Sequence, residues 1–313
     1  MTTISTDLDV IIIGGGPAGL SAALWCAELG LTAVIVEKES QFGGQLLWAF
    51  NPIKNYLGVE TSNGFELRDI FLQHIASIDV RRVVGSEIVA AGVAQKTVTL
   101  ADGSSFSAKA IIIAAGVRRR KLNVSGEEEF FGRGILESGV KNKDEMDGKT
   151  VVIVGGGDAA LENGIILSGS AKKIYILHRR GHFKARREFV ERANTIANIE
   201  FLFDTEVKAI RGNRAVESVE LQNLKTGERS NLAAHAVLIR VGVMPNTELF
   251  DGQIVLDESG YISINEHCLT NLEDIYAIGD AANPVSPTII GAAGMGATAA
   301  KAIFLSLKSK RFQ

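Results

Sequence analysis

Short runs in which almost every residue is apolar recur along the chain, at residues 10–13, 110–114 and 151–154. Such runs are typical of parallel strands that are covered on both faces, because neither face then meets water. After the first and third runs the sequence turns glycine-rich and then helix-like, and further largely apolar runs follow at 32–36 and 173–177. The pattern therefore predicts two strand–loop–helix–strand units in one chain.

The rest of the chain shows both helical and alternating patterns. Helices are predicted over 64–76, from about Phe183 onward, and over about 291–307, where small residues dominate. Residues 80–108 and 199–241 alternate between apolar and polar positions, as half-buried strands do. Because strands and helices alternate around both glycine-rich loops, the predicted fold class is α/β, with two Rossmann-like domains.

The first glycine-rich loop has the spacing G-x-G-x-x-G, formed by Gly14, Gly16 and Gly19. These glycines allow, in turn, a tight turn, close approach of a pyrophosphate to the backbone, and close packing of helix against strand. Pro17 suits the first turn of a helix, where its missing N–H costs nothing. Glu37 ends the next apolar run, and an acid there accepts hydrogen bonds from a ribose 2′-hydroxyl and repels a 2′-phosphate. The loop is predicted to bind a dinucleotide without a 2′-phosphate.

The second loop, at residues 155–160, ends in alanine, a common variant in nicotinamide sites. The strand that follows it leads into His178, Arg179 and Arg180, and Lys184 adds a further charge. A solvated basic patch would have the same composition, but its position directly after this strand favours recognition of a 2′-phosphate by the planar guanidinium groups. One chain is thus predicted to hold two different dinucleotides, as a flavoprotein that exchanges electrons with NADP(H) does.

Composition argues against several other classes of protein. The 313 residues suffice for about two domains, and a net charge of −3 gives no reason to expect nucleic acid. Cys26 and Cys268 are too few for a disulfide framework and, with the histidines, show no metal-ligand spacing. No apolar stretch approaches the roughly 20 residues that span a bilayer. We therefore expect a soluble, cytoplasmic protein without a metal and without a membrane partner.

Two segments, 117–125 and 243–247, are candidate domain boundaries. Because they lie on either side of the second dinucleotide unit, this unit is predicted to be inserted into the first domain. The predicted domains are an FAD-binding domain of residues 1–117 plus 246–313 and an NAD(P)-binding domain of residues 118–245.

The first boundary carries a basic run at residues 118–121, which is predicted to be a solvated linker face or, alternatively, a docking patch for an acidic protein. Cys26 lies in an apolar segment and is predicted to be in the core. Cys268 precedes polar residues and is predicted to lie at the surface or half-buried.

Several motifs together resemble those of the low-molecular-weight thioredoxin reductases and their relatives, over nearly the whole chain. The motifs are Gly14-x-Gly16-Pro17-Ala18-Gly19, Gly43-Gly44-Gln45, Asn55-Tyr56-x-Gly58, Gly155-Gly156-Gly157-Asp158, His178-Arg179-Arg180 and Tyr276-Ala277-Ile278-Gly279-Asp280. The resemblance implies a discontinuous FAD domain, an inserted NADP domain, a three-layer ββα arrangement in each, and a homodimer.

The resemblance also implies which residues surround each cofactor. For FAD they are Gly14, Gly16, Pro17, Ala18, Gly19, Glu37, Lys38, Gly44, Gln45, Asn55, Ala115, Gly116, Gly279, Asp280, Thr288 and Ile289. For NADP(H) they are Gly155, Gly157, Asp158, Ala159, Ala160, His178, Arg179, Arg180 and Lys184. The family pattern has an arginine at the place of Lys184.

One departure from the family pattern bears on function. In the thioredoxin reductases a C-x-x-C pair precedes the second glycine loop, and Ser138 and Lys141 occupy that place here. Disulfide exchange requires a thiol as nucleophile, and Cys26 and Cys268 lie outside the inserted domain. The chain is therefore predicted to pass electrons between NAD(P)H and an external acceptor directly through the flavin, and no protein side chain is assigned a catalytic role.

The acceptor and the role stay open among three possibilities. Ferredoxin is favoured, because the ferredoxin–NADP reductases of this fold also lack the cysteine pair and a flavin can release electrons singly. A small molecule or a disulfide/dithiol substrate is the alternative. A non-catalytic, FAD-binding regulatory protein is the third, against which the retained Arg179 and Arg180 argue.

Overall fold

The structure is a computed structural model and describes residues 8–311, which form both helices and strands. The helices are α1 Pro17–Glu28, α2 Gly64–Ile75, α3 Gly139–Asn142, α4 Asp158–Leu167, α5 Arg187–Asn194 and α6 Ile289–Arg311. The strands are β1 Leu8–Ile13, β2 Ala33–Val36, β3 Arg81–Val83, β4 Ile88–Gly92, β5 Thr97–Leu100, β6 Ser105–Ile113, β7 Val117–Arg119, β8 Ile135–Leu136, β9 Thr150–Val154, β10 Lys173–His178, β11 Ile199–Phe203, β12 Thr205–Gly212, β13 Val216–Asn223, β14 Arg229–Ala233, β15 Ala236–Ile239, β16 Val243–Pro245 and β17 Ile275–Ala277. Short 3₁₀ turns occupy Gly44–Trp48, Asp144–Met146, Glu248–Phe250 and Gly279–Ala281.

The chain folds into two compact units, and the first contains the residues up to Arg118 and those from Met244. Its parallel strands lie in the order β3-β2-β1-β6, with β17 also paired to β6. The first residues of β6 pair instead with β5, which continues antiparallel to β4. Strand β6 therefore belongs to both a parallel and an antiparallel sheet.

The alternation of side chains along the parallel strands separates two apolar cores in the first unit. Val10 and Ile12 pack with residues of α1 and α6, whereas Ile11 and Ile13 pack with Val98 and other residues of the antiparallel strands. The wholly apolar run predicted from the sequence is explained by burial on both faces. This is the predicted three-layer ββα arrangement, which is confirmed.

The second unit, Arg119–Val243, repeats the same plan. Its parallel strands lie in the order β11-β10-β9-β15-β8. Val151 and Ile153 pack with residues of α4 on one face, and Val152 packs with residues of the antiparallel strands β12 to β14 on the other. The units divide after Arg118 and after Val243, whereas the sequence places the divisions after residues 117 and 245. Strands β7 and β16 form a separate two-stranded sheet.

Helix α6 corrects the expectation that no segment has the length and apolar character of a membrane span. Residues Ile289–Lys310 pass such a test by length and composition. In the first unit this helix packs on α1: Ser21 Oγ donates to the Ala293 carbonyl at 2.6 Å, and a Cβ at Gly296 would lie 2.6 Å from the Ala18 carbonyl oxygen. The small residues predicted for this helix thus allow α1 and α6 to pack closely.

The helix predicted from Phe183 onward is wrong at its start, because α5 begins at Arg187. The backbone N–H groups of Lys184 and Ala185 donate to the Gly156 carbonyl at 2.8 and 3.2 Å, so residues 181–186 form a loop against the glycine-rich turn. The ring of Phe183 packs between those of Phe201 and Phe203, with centroids 4.9 and 4.8 Å away. The apolar side chain of Phe183 therefore packs from a loop and does not mark the start of a helix.

The prediction for Cys268 is also wrong, since this residue is only 4% exposed and lies in the same apolar cluster as Cys26. Its polar neighbour Thr270 is itself buried, and the Thr270 backbone N–H donates to the Ile275 carbonyl at 2.9 Å. Polar neighbours in sequence therefore do not mark an exposed segment at this place. Cys26 lies in the core as predicted.

Three residues of the basic run 118–121 are exposed, as the prediction of a solvated linker face requires, whereas Arg119 is half-buried. Each of the four side chains also contacts another residue of the chain. Two of the four pair with carboxylates, and two donate to backbone carbonyls. The partners are the Glu248 carboxylate for Arg118, the Glu137 carbonyl for Arg119, the Val243 carbonyl for Arg120 and the Glu128 carboxylate for Lys121.

Candidate dinucleotide sites

The glycine loop of the first unit contains glycines of two kinds. A Cβ at Gly14 would lie 2.4 Å from the Ala114 carbonyl oxygen, and a Cβ at Gly19 would lie 1.9 Å from the Gly14 carbonyl oxygen. The fold itself requires glycine at these two positions. At Gly16, by contrast, a Cβ would meet only the Gly44 Cα at 3.8 Å, an ordinary contact, and the φ of −77° suits any residue.

The loop of the second unit repeats this contrast. Gly155 has a φ of +150°, and a Cβ there would lie 2.1 Å from the Arg240 carbonyl oxygen. At Gly157 no protein atom lies within 4 Å of a built Cβ, and φ is −102°. In both loops, therefore, the middle glycine leaves open space that the fold does not use. A Cβ in that space would obstruct a ligand that approaches the backbone.

The two middle glycines are the N-cap residues of α1 and α4, and neither helix has a side-chain cap. The first N–H groups of a helix have no partner inside the helix, and the helix dipole adds positive potential at that end. An open backbone at such a terminus accommodates a phosphate. The space beside Gly16 and Gly157 thus fits the pyrophosphate of a dinucleotide in each unit.

Glu37 directly follows β2 and is buried, with 7% of its surface exposed. One carboxylate oxygen accepts a hydrogen bond from Gly15 N at 2.7 Å, and the other accepts from Glu39 N at 2.9 Å. A carboxylate offers about four lone-pair positions, so capacity for a ribose hydroxyl remains. The sequence predicts the acid but not its bond to the glycine loop. Lys38, next in the chain, is exposed.

Two 3₁₀ turns bring further predicted residues to the first loop. Gly44 has a φ of +52° and approaches Gly16 so closely that a Cβ on Gly44 would lie 2.9 Å from the Gly16 Cα. A Cβ on Gly279 would likewise lie 2.9 Å from the Ala18 Cβ. Between the two turns, Gln45 Nε2 donates to Asp280 Oδ2 at 2.8 Å.

Burial raises the pKa of the Asp280 carboxyl, and the hydrogen bond from Gln45 opposes that rise. A carboxylate with this environment can accept a further hydrogen bond, and the amide of Gln45 holds its orientation. The structure therefore joins Gly16, Ala18, Gln45 and Asp280 in one region of the first unit.

The remaining residues predicted for FAD lie at the borders of this region. Ala115 and Gly116 are held by Asn246, whose side-chain and backbone N–H groups donate to their carbonyls at 2.8 and 3.0 Å. Thr288 accepts a hydrogen bond from Gly291 N at 3.1 Å and so caps α6. Ile289 packs in the small apolar cluster that includes Leu46 of the Gly44–Trp48 turn. The predicted Asn55 is exposed in the segment between that turn and α2. The sequence did not predict the role of Asn246.

In the second unit the predicted basic residues follow β10. Arg179, Arg180 and Lys184 are exposed, as groups that bind a soluble phosphate must be. His178 is partly buried, and its ring stacks on Phe183 with centroids 5.8 Å apart. Burial, together with the positive charges of Arg180 and Arg179, lowers the pKa of His178. The imidazole is therefore neutral at pH 7 and packs against the loop.

Asp158, predicted to lie at the nucleotide loop, binds a residue that the sequence did not single out. Its two carboxylate oxygens accept hydrogen bonds from the Arg186 backbone N–H and from Arg186 Nε, each at 2.7 Å. Burial alone would raise the pKa of Asp158, but these bonds lower it overall. The bonds fix the basic loop against the start of α4. The basic run around Arg186 is the only sequence signal for this contact.

Ser138 and Lys141 occupy structural positions at α3. Ser138 Oγ accepts a hydrogen bond from Val140 N at 3.3 Å as the helix cap, and Lys141 pairs with Glu137 at 2.7 Å. In the first unit, burial raises the pKa of the Cys26 thiol to about 12 and that of Cys268 to about 11. Both cysteines are therefore neutral thiols at pH 7.

Comparisons with known proteins agree with this arrangement. The family model described as pyridine nucleotide-disulphide oxidoreductase matches residues 8–299. A thioredoxin reductase from Bacillus subtilis (strain 168) is 34% identical over 296 residues, which cover 94% of this chain and 93% of that relative. A thioredoxin reductase from Mycolicibacterium smegmatis is 35% identical over 303 residues, covering 96% of each. The crystal structure of Lactococcus lactis thioredoxin reductase in its FR conformation superposes with a TM-score of 0.85 at 32% identity, covering 95% of this chain and 98% of that chain.

These similarities extend over both units, and the predicted resemblance, fold class and enzyme class are confirmed. The protein is an oxidoreductase, and its cofactors are FAD and NADP(H), as predicted. The chain belongs to the pyridine nucleotide-disulphide oxidoreductase family.

Proposed function

We propose that this enzyme passes electrons between NAD(P)H and an external acceptor through the flavin, without a redox-active disulfide. The observation that carries the proposal is the absence of a reactive thiol among residues 8–311. Ser138 and Lys141 replace the cysteine pair, and both remaining cysteines are buried with raised pKa values. Because the thiolate is the nucleophile of disulfide exchange, neither cysteine is suited to relay electrons.

The proposed FAD site consists of the first glycine loop, Glu37 with Lys38, the Gly44–Gln45 turn, Asn55, Ala115–Gly116, Gly279–Asp280 and Thr288–Ile289. In it, the open backbone at Gly16 would bind the pyrophosphate and Glu37 the ribose hydroxyls. Asp280, oriented by Gln45, would accept a hydrogen bond from the cofactor. The open space at Gly16 supports this assignment.

The proposed NADP(H) site consists of the second glycine loop and the basic residues after β10. Gly157 would admit the pyrophosphate, and Arg179, Arg180 and Lys184 would bind the 2′-phosphate. The bond between Asp158 and Arg186 holds the loop between them in place. Neutral His178 packs beneath this loop and leaves the phosphate contacts to the permanently charged side chains.

Bound FAD supplies the ability to accept a hydride from a nicotinamide and to release electrons singly or in pairs. The protein residues orient the two dinucleotides and provide the charges that distinguish them. As acceptor we propose a one-electron carrier such as ferredoxin, with a small molecule or a disulfide substrate as the alternative. The relatives named thioredoxin reductases suggest a thioredoxin-like partner. Reduction of a thioredoxin disulfide by thiol–disulfide exchange, however, requires a thiol at the place of Ser138 and Lys141. We also propose a soluble, cytoplasmic homodimer.

The proposal is tested by anaerobic reduction of the FAD-loaded enzyme with NADPH, followed by a panel of acceptors. The panel contains ferredoxin, cytochrome c, a quinone, oxygen, and thioredoxin with a disulfide dye. Rapid bleaching of the flavin by NADPH and turnover with an acceptor other than thioredoxin are expected. Efficient turnover with thioredoxin would contradict the proposal, and so would a flavin that NADPH and NADH both fail to reduce within minutes.

The nucleotide assignment has its own test in the double substitution of Arg179→Ala and Arg180→Ala. Each lost charge-assisted hydrogen bond is worth about 1.5–3 kcal/mol, which corresponds to roughly 10- to 150-fold in affinity. In the double variant the dissociation constant of NADPH is expected to rise at least as much as the loss of one such bond implies. The dissociation constant of NADH should change little. Arg187→Ala is the matched control, because Arg187 is exposed and pairs with Glu191. An equal loss for both nucleotides would exclude the 2′-phosphate role.

A further inference from the structure

Three parallel strands of the second unit end at one edge of their sheet. Strands β9 and β15 are neighbours, and β8 pairs with the far side of β15. Their carboxyl ends lead into Gly155, Arg240 and Glu137, respectively. Open α/β sheets bind their ligands in the crevice outside the carboxyl ends of the strands, so Arg240 and Glu137 lie where a ligand of this unit is expected.

Two arginines meet at this edge. Arg240 donates to the Glu137 carbonyl at 2.6 Å, and Arg119 donates to the same carbonyl at 2.7 Å. Two nitrogen atoms that share one acceptor lie within about twice that distance of each other, so the guanidinium groups are close neighbours. Both side chains are half-buried. They come from segments that are far apart in sequence. Arg119 belongs to the basic run 118–121, and no sequence motif marks Arg240.

The pair concentrates positive charge in a partly desolvated place. Burial and the charge of Arg119 lower the pKa of Arg240 to about 10, and burial lowers that of Arg119 against the attraction of Glu137. The Glu137 carboxylate is itself paired with Lys141 at 2.7 Å. The hydrogen bonds described for Arg240 both end on carbonyls, those of Ile239 and Glu137. A guanidinium has five N–H donors, so Arg240 retains donors for a ligand.

The strand order separates this pair from the proposed 2′-phosphate site. Strand β10, which leads to Arg179 and Arg180, lies on one side of β9, and β15 lies on the other. The glycine loop after β9 is between them. A dinucleotide with its pyrophosphate at that loop and its 2′-phosphate at β10 would direct its other end, the nicotinamide, toward β15 and the arginine pair. In that orientation the pair would lie beside the reacting end of the nucleotide.

We propose that Arg119 and Arg240 form an anion-binding subsite for a carboxylate, phosphate or sulfonate group of a small-molecule electron acceptor. This inference deepens the proposed function and rests on it for the identity of the ligand as an acceptor. Half-buried guanidinium groups at a sheet edge suit a single small anionic group, which can enter the crevice and accept bidentate hydrogen bonds. A phosphate of NADP(H) offers the same chemistry, and the experiment distinguishes the two sources.

The binding test uses inorganic phosphate as the probe and FAD-loaded enzyme saturated with NADP⁺, so that the nucleotide's own phosphate sites are filled. Isothermal titration is carried out on wild type, Arg240→Met, Arg119→Met and, as control, Arg229→Met. Arg229 is exposed on the three-stranded sheet, and its substitution removes the same charge elsewhere in the unit. We expect phosphate to bind wild type and the control, and its affinity to fall at least tenfold in the two other variants. NADP⁺ affinity within twofold of wild type shows that the second unit of each variant is intact.

Two outcomes would overturn the inference. One is phosphate affinity that is unchanged in both Arg119→Met and Arg240→Met. The other is a lower NADP⁺ affinity in these variants, combined with no binding of phosphate to NADP⁺-saturated wild type. That result would show that the arginine pair binds the nucleotide itself. A structural role alone would lower the melting temperature equally with and without phosphate.

The activity test compares an anionic acceptor, anthraquinone-2-sulfonate, with the neutral acceptor menadione. The KM for the sulfonate is expected to rise at least tenfold in Arg240→Met, with the KM for menadione unchanged. Equal changes for both acceptors, or a defect confined to ferredoxin, would contradict a small-anion subsite. If wild type reduces no acceptor but phosphate binding depends on the arginines, the proposed function fails while the anion site stands.

Discussion

Glu37 provides a direct test of how the first glycine loop is held. Its buried carboxylate accepts hydrogen bonds from two backbone N–H groups, those of Gly15 and Glu39, at 2.7 and 2.9 Å. In Glu37→Gln the side chain keeps one carbonyl oxygen and gains an NH₂ group. That NH₂ group must face one of the two N–H donors, so one hydrogen bond is lost and a buried donor is left without an acceptor.

The loss can be estimated from these contacts. A hydrogen bond to a charged group contributes about 1.5–3 kcal/mol to stability. A loss of about 2.5 kcal/mol in a unit of this size lowers the melting temperature by roughly 5–10 °C. The effect is expected in the apoprotein, because both bonds are internal to the fold. The dissociation constant of FAD should rise as well, by about tenfold or more, because an amide accepts from the ribose hydroxyls less strongly than a carboxylate.

Differential scanning calorimetry of the apoprotein and fluorescence titration with FAD measure the two effects separately. Glu39→Gln is the matched control, since it makes the same chemical change two residues away on an exposed side chain. The control should melt and bind FAD as the wild type does. If the Glu37→Gln apoprotein melts at the same temperature as the control, the carboxylate does not hold the loop.

Two further substitutions separate the demands of the fold from those of the ligand. Gly157→Ala is expected to cost less than about 0.5 kcal/mol of stability, because its Cβ meets open space. The same substitution should weaken NADPH binding about tenfold, as measured by titration. Gly155→Ala, by contrast, should destabilise the enzyme, because its Cβ would clash with the Arg240 carbonyl. Asp158→Asn removes a carboxyl whose folded pKa is lowered by Arg186, so its stabilisation is present above about pH 4 and is lost as the pH falls through the lowered value. Melting curves should show a less stable variant at pH 7 and no difference in strong acid, and a difference that persists in acid would contradict this origin.

The elements that the sequence predicts well are those set by local periodicity. The apolar runs at 10–13 and 151–154 are parallel strands because both faces of each are covered, one by helices and one by antiparallel strands. The glycine loops follow from their spacing in the same way. Local pattern failed at Phe183, where the backbone N–H groups of Lys184 bond to the distant Gly156 and stop a helix from starting.

The contacts that complete the candidate sites join residues remote in sequence, and no local pattern contains them. Arg119, at the end of β7, and Arg240, which follows β15, meet only because both reach the Glu137 carbonyl that follows β8. Gln45 meets Asp280 only because two short turns both approach the first loop. The type of residue at each site could be predicted from motifs, whereas the partner of each side chain depends on the tertiary fold.

In the proposed function electrons leave the flavin without help from a thiol, and a cysteine-free enzyme provides the sharpest test of this route. The double substitution of Cys26→Ala and Cys268→Ala removes both thiols. Each replacement takes a buried sulfur atom out of the core of the first unit. The measurement is the steady-state rate of NADPH oxidation by the FAD-loaded variant with the best acceptor of the panel, at a temperature well below its melting transition. A kcat within about twofold of wild type is expected, because no step of the proposed electron transfer uses a thiol. A variant that binds FAD and is reduced by NADPH, but no longer passes electrons to the acceptor, would contradict it.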